Sequence, residues 1–137
     1  MTADRKSRKN RAPLNLAMGL VGLLAILLVI VAAGAGWPVV IVVLGLFTVM
    51  LSLATMFFTR KSDEYTLGLW STSANAAFAT VIFFALFAAF GEAFYVGFMQ
   101  AHEGIERERL LDGDFAAIAA ILAFYLTFNI KRLTGAV

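Results

Sequence analysis

One ionisable side chain, Glu92, stands well inside an apolar run, Ala85-Leu86-Phe87-Ala88-Ala89-Phe90-Gly91-Glu92-Ala93-Phe94. A carboxylate in hydrocarbon is costly and often marks a proton or ion path, so reversible protonation or cation binding is the first chemistry to consider. Helical spacing puts Ala85, Ala88 and Glu92 on one face and Phe83, Phe87, Phe90, Phe94 and Phe98 on the opposite one. Small residues let helices approach closely, so the first face is expected to point into a bundle or toward a partner. The phenylalanine stripe is then left for lipid, another subunit, or a pigment or quinone. Glu92 also lies about two turns before Met99, near the end of its span. A hydrogen-bonded or interfacial glutamate, with Tyr95 and Gln100 nearby to satisfy it, is therefore the leading reading, ahead of a protonatable or partner-binding one.

Little else in the chain is equipped for chemistry. His102 and Glu106 are four apart and would share a helical face, but two ligands do not make a metal site. The pair Glu103 and Arg107 has the same spacing and suits a solvated helix laced by weak ion pairs. The chain has no cysteine, which excludes a disulfide, a thiolate-held zinc and an iron–sulfur cluster. With one histidine, a single copy cannot supply two axial ligands to a haem. No lysine lies in an apolar segment to form a retinal Schiff base. A phosphate-binding glycine loop, an HExxH pair and a GxSxG elbow are all absent, so the expectation is a non-enzymatic protein with no assigned cofactor.

The elements that carry these residues follow from composition. Of 137 residues, 61% are hydrophobic and 15% charged, a balance that a water-soluble domain could not keep covered. A hydrocarbon core roughly 30 Å thick takes about 20 helical residues to cross. The sequence supplies four such stretches, at 14–33, 38–58, 76–99 and 115–130, within a membrane domain of 14–133 between a basic tail (1–13) and a short C-terminal tail (134–137). Gly34-Ala35-Gly36 offers a turn after the first, and Trp37-Pro38 an interfacial aromatic and a helix start for the second. Tyr65 to Asn75 mixes apolar and hydroxyl residues and reads as an interfacial segment before the third helix, with Asp63 as its cap. Asp114 can cap the fourth, whose Ala116, Ala120, Ala123 and Thr127 form a small-residue packing stripe. Gly19 and Gly22 in the first helix permit close approach but do not make a GxxxG motif. The fold expected is all-α, four transmembrane helices in a compact up-down bundle. A basic start followed by an apolar stretch and Ala33-Gly34-Ala35 also fits a signal peptide, although the stretch is long for one.

Basic residues set orientation, because Lys and Arg are retained on the cytoplasmic side. Four crossings put nine of them on one side, leaving Arg107 and Arg109 in a net acidic outer loop. A bacterial inner-membrane location with both termini cytoplasmic is therefore expected. The tail from Arg5 to Arg11 suits anionic lipid headgroups better than nucleic acid. In size and helix number the chain resembles the small multidrug exporters. Their essential glutamate lies in the first helix, whereas Leu14–Ala33 has no charge, so their function is not carried over. The leading expectation is an accessory or structural subunit of a membrane complex, binding other membrane subunits or itself through helix packing. A proton- or cation-coupled transporter or oligomeric channel using Glu92 is the alternative. The near-absence of polar side chains in the first two helices argues against a pore through one copy.

Overall fold

The computed structural model describes residues 11–103 and 113–135, without the side chains of residues 88, 89, 103, 113 and 114. Among the described residues the regular structure is entirely helical: α1 (Ala12–Gly34), α2 (Val39–Thr59), α3 (Glu64–Phe83), α4 (Ala89–Glu103) and α5 (Gly113–Thr134), with a π-helical stretch, Phe84–Ala88, joining α3 to α4. Four helical runs are long and apolar enough to cross a membrane: α1, α2, Glu64–His102 and Phe115–Thr134. The basic tail before Arg11, and Glu106 to Asp112 of the expected outer loop, lie outside the described residues.

Local chemistry explains the helix ends. Pro13 sits in the first turn of α1, where its missing N–H has no helical acceptor to lose. At the other end, Trp37 N–H donates to Ala32 O (2.9 Å) and Gly36 N–H to Ala33 O (3.4 Å), with Gly36 at φ 67°. This is the Schellman arrangement, and its left-handed residue is one that glycine adopts without a Cβ clash. Asp63 caps α3 by accepting from the backbone N–H of Thr66 at 2.7 Å, while the Thr66 hydroxyl meets the N–H of Asp63 at 3.4 Å. Two otherwise unsatisfied donors are thus closed reciprocally.

Packing is pairwise. α1 lies antiparallel along α2, and α3 along α5; α5 also packs on α1, which brings the two pairs together. The core is built from Ala25, Ile26, Val29, Val49, Met56, Leu69, Phe124, Tyr125 and Phe128. Trp70 rests edge-on against Phe124, with ring centroids 5.0 Å apart. The outside is more apolar than the inside: Val39 is 74% exposed and Phe58 80%, with Leu24, Phe47, Met50 and Leu133 also facing outward. Water would oppose such a surface, whereas hydrocarbon accepts it.

Side-chain contacts fix the register of the helices. At one end Asn15, Thr59, Tyr65 and Arg132 lie at one level, shown by Asn15 to Thr59 (2.8 Å), Tyr65 to Arg132 O (3.4 Å) and Arg132 to Leu16 O (2.9 Å). At the other end Phe84 meets Phe115, centroids 5.5 Å apart. Residues 65–84, rather than 76–99, are therefore the part of the third helical run that is level with α5. Tyr65 to Asn75 is no separate segment: it forms the first turns of α3, with Leu69 and Ser73 buried and Trp70 packed against α5.

Candidate functional site

Glu92 is carried on α4, eight residues beyond Phe84, about 12 Å further along a straight helix axis. It is partly exposed, and α4 makes no extensive contact with α1, α2 or α5. Ala85 is exposed, so the small-residue face expected to point into the bundle meets no helix among the described residues there; the side chain of Ala88 is outside the described set. Phe83, Phe87, Phe90, Phe94 and Phe98 are all exposed, up to 74% at Phe90. Phe83 stacks on Phe87 at 5.8 Å, and Phe98 on His102 at 4.4 Å. The stripe is thus an outward surface running from the end of α3 into α4, with no helix among the described residues packed over it. On α5, Ala120 is buried and Ala116, Ala123 and Thr127 are half-buried, placing that stripe on the packed side. Among the described residues no group of three or more His, Cys, Asp or Glu side chains could hold a metal.

The polar chemistry lies elsewhere, at the meeting of α1, α2 and α5. Tyr125 donates its hydroxyl to Ser52 Oγ (3.0 Å) and approaches Val49 O (3.3 Å), and Ser52 in turn donates to Met18 O (2.7 Å). Asn129 donates to Gly19 O (3.0 Å) and Tyr125 O (2.9 Å). Nearer the helix ends, Asn15 donates to Met56 O (2.9 Å) and Thr59 Oγ1 (2.8 Å), while its Oδ1 is buried without a hydrogen-bond partner. The guanidinium of Arg132 reaches Leu16 O at 2.9 Å. Asn15 and Ser52, two of the few polar side chains of α1 and α2, are thus drawn into contacts between helices. Each of these bonds joins two helices or ties a side chain back to its own backbone, so the cluster works as a clamp. It contains no carboxylate or imidazole to relay a proton.

Glycines make the clamp possible. A Cβ at Gly19 would overlap the ring of Phe128, one at Gly22 the ring of Tyr125, and one at Gly45 the side chain of Val29. The Gly19–Gly22 spacing, uninformative by itself in an apolar sequence, is the groove into which α5 lays two aromatic rings. Between α1 and α2 an open groove of about 400 Å³ is lined by Val21, Leu24, Leu28, Ile41, Leu44 and Thr48. Its lone hydroxyl, Thr48, is committed to Leu44 O at 2.8 Å, so the groove is apolar in effect.

At the basic end, Arg60 places its guanidinium 3.7 Å from the centroid of Phe57 and near Trp70. Such cation–π contacts hold a charged group beside an aromatic without a carboxylate partner. Together with Arg11, Lys61, Lys131 and Arg132, it forms a cationic rim at the end shared by the start of α1 and the end of α5.

No protein-family model, curated protein or solved structure matches this chain.

Proposed function

We propose that this is a multi-pass protein of the bacterial cytoplasmic membrane, an up-down bundle of four crossings with both termini on the cytoplasmic side. It serves as a non-enzymatic accessory or structural subunit, acting through helix–helix packing with other subunits or with itself inside the bilayer. The observation that carries this reading is the contrast between interior and surface. Buried polar groups where α1, α2 and α5 meet bond from helix to helix, as Tyr125–Ser52 and Asn129–Gly19 illustrate, while large apolar and aromatic side chains cover the outside. Such a molecule has surfaces for lipid and partners, and its described interior offers no polar route through one copy. The cationic rim supports the orientation, since basic residues stay on the cytoplasmic side and attract anionic headgroups.

A transporter or channel built on Glu92 ranks second. It requires that carboxylate within hydrocarbon, whereas the register of α3 against α5 carries α4 past the level where the other helices end. Pigment or quinone binding on the phenylalanine stripe remains testable by the absorbance of purified protein and by its lipid extract.

The direct test is extraction from native membranes in mild detergent through an affinity tag, with mass spectrometry of what co-purifies and sizing of the particle. Recovery in fixed ratio with larger membrane proteins supports the accessory role. Recovery alone or as a self-oligomer, together with proton- or cation-coupled flux in liposomes that Glu92→Gln abolishes, would replace it with the transport reading.

A further inference from the structure

The outward face of α3 carries a polar stripe in an unexpected place. Gly68, Ser71, Asn75 and Ala79 follow one another at three- or four-residue steps on one side of the helix, and Ser71, Asn75 and Ala79 are exposed. Ser71 and Asn75 form no side-chain hydrogen bond among the described residues, whereas their neighbours Thr72, Ser73 and Thr80 are satisfied by the carbonyls of Gly68, Leu69 and Ala76. Depth makes this notable. Asn75 is ten residues from Tyr65, level with the basic end, and nine from Phe84, level with the start of α5. It therefore lies about 15 Å from either end of the α3–α5 pair, close to the middle of a roughly 30 Å hydrocarbon core.

We infer that this face is the contact between two copies of the chain, with Asn75 of each copy hydrogen-bonded to Asn75 of the other at the bilayer midplane. The inference rests on the membrane-spanning reading above and names one partner for its packing surfaces. A carboxamide cannot be left unpaired in hydrocarbon without a large desolvation penalty, and asparagine in a membrane helix is a known promoter of helix association. A second copy suits this face for three reasons. The amide is both donor and acceptor, so it is complementary to itself. A second copy with the same topology presents its own Asn75 at the same depth, so a two-fold axis along the membrane normal aligns the pair without further adjustment. No charged residue occurs between Glu64 and Glu92, so the two identical faces do not repel. Gly68 and Ala79 on either side keep the helices close enough for the amides to meet, and Ser71 lies one turn away to join the bond or to pair with its counterpart.

The test uses the full-length chain, labelled with donor or acceptor fluorophores and reconstituted in liposomes over a range of lipid-to-protein ratios. Energy transfer should follow a monomer–dimer equilibrium that Asn75→Leu weakens by about tenfold and Asn75→Gln, which keeps an amide, largely restores. Since Asn75 faces outward, its replacement leaves the fold intact, checked by an unchanged far-UV circular dichroism spectrum. Disulfide crosslinking should be efficient through Ala79→Cys and absent through Val81→Cys, exposed on a different side of the helix. The inference is overturned if Asn75→Leu associates as tightly as the native chain, or if the native chain stays monomeric at every ratio. A monomer that still co-purifies with larger membrane proteins would sink the self-association and leave the accessory role standing. A monomer that co-purifies with nothing would remove both.

Discussion

The aromatic ring of Tyr125 occupies the space that a side chain on Gly22 would need, and from that position its hydroxyl reaches past α1 to Ser52 on α2. One residue of α5 thus holds three helices at once: it packs on α1, bonds α2 and belongs to α5. The architecture depends on this close approach, because a larger residue at 22 would lift the ring and break the bond.

Gly22→Ala should therefore destabilise the fold by about 1–3 kcal/mol, the usual cost of overpacking a closed contact. Gly34→Ala, with open space around its Cβ position, should change stability by less than about 0.5 kcal/mol. Reversible unfolding of both variants in bicelles provides the comparison, and equal effects would show that the Gly22 notch is not under close contact.

Ser52 and Tyr125 should be energetically coupled. A double-mutant cycle with Ser52→Ala and Tyr125→Phe is expected to give a coupling of about 0.6 kcal/mol, and no more than about 1.7, the range found for hydrogen bonds between membrane helices. Additive effects within error would mean that the 3.0 Å contact contributes nothing as a pair.

Loss of the cap at the start of α3 should be felt locally. Asp63→Ala removes the acceptor for Thr66 N–H and is expected to cost about 1 kcal/mol, whereas Asp63→Asn, which keeps an acceptor, should cost less. Hydrogen exchange at Thr66 and Leu67 should accelerate in the alanine variant while exchange at Phe124 is unchanged.

Single cysteines can map the third crossing directly, since the native chain has none. With a membrane-impermeant maleimide on sealed vesicles, Ser71→Cys should be protected and Gly91→Cys should be labelled from the side opposite the cationic rim. The reverse pattern, Ser71→Cys labelled and Gly91→Cys protected, would place the crossing at 76–99 instead.

The sequence already contained the four apolar helical runs, the turn at Gly36 and the Asp63 cap, because each depends on residues close together along the chain. Two features were hidden for physical reasons. The hydroxyls of Thr66, Thr72 and Ser73 count as polar in a composition, yet each is satisfied within its own helix and its preceding turn, which makes the start of α3 behave as a packing segment. The clamp among Asn15, Ser52, Tyr125 and Asn129 joins residues as far apart as 19 and 129. A single polar side chain in a long apolar stretch says nothing about which distant carbonyl it will meet. Glu92 drew attention by its charge, but sequence spacing could not reveal that α5 comes level with Phe84 at Phe115, so that among the described residues α4 makes no extensive contact with α1, α2 or α5.

The uncharged turn between α1 and α2 has a bearing on how the protein is made. From Leu14 to Phe58 there is no ionised side chain to drag through the bilayer, and the pair's own hydrogen bonds, Asn15 to Thr59 and Ser52 to Met18, need nothing from later residues. On the membrane-spanning proposal, the hairpin enters the bilayer as one unit before the helices that follow it are made. α5, made after that hairpin, finds Gly19 and Gly22 already in place as its docking track.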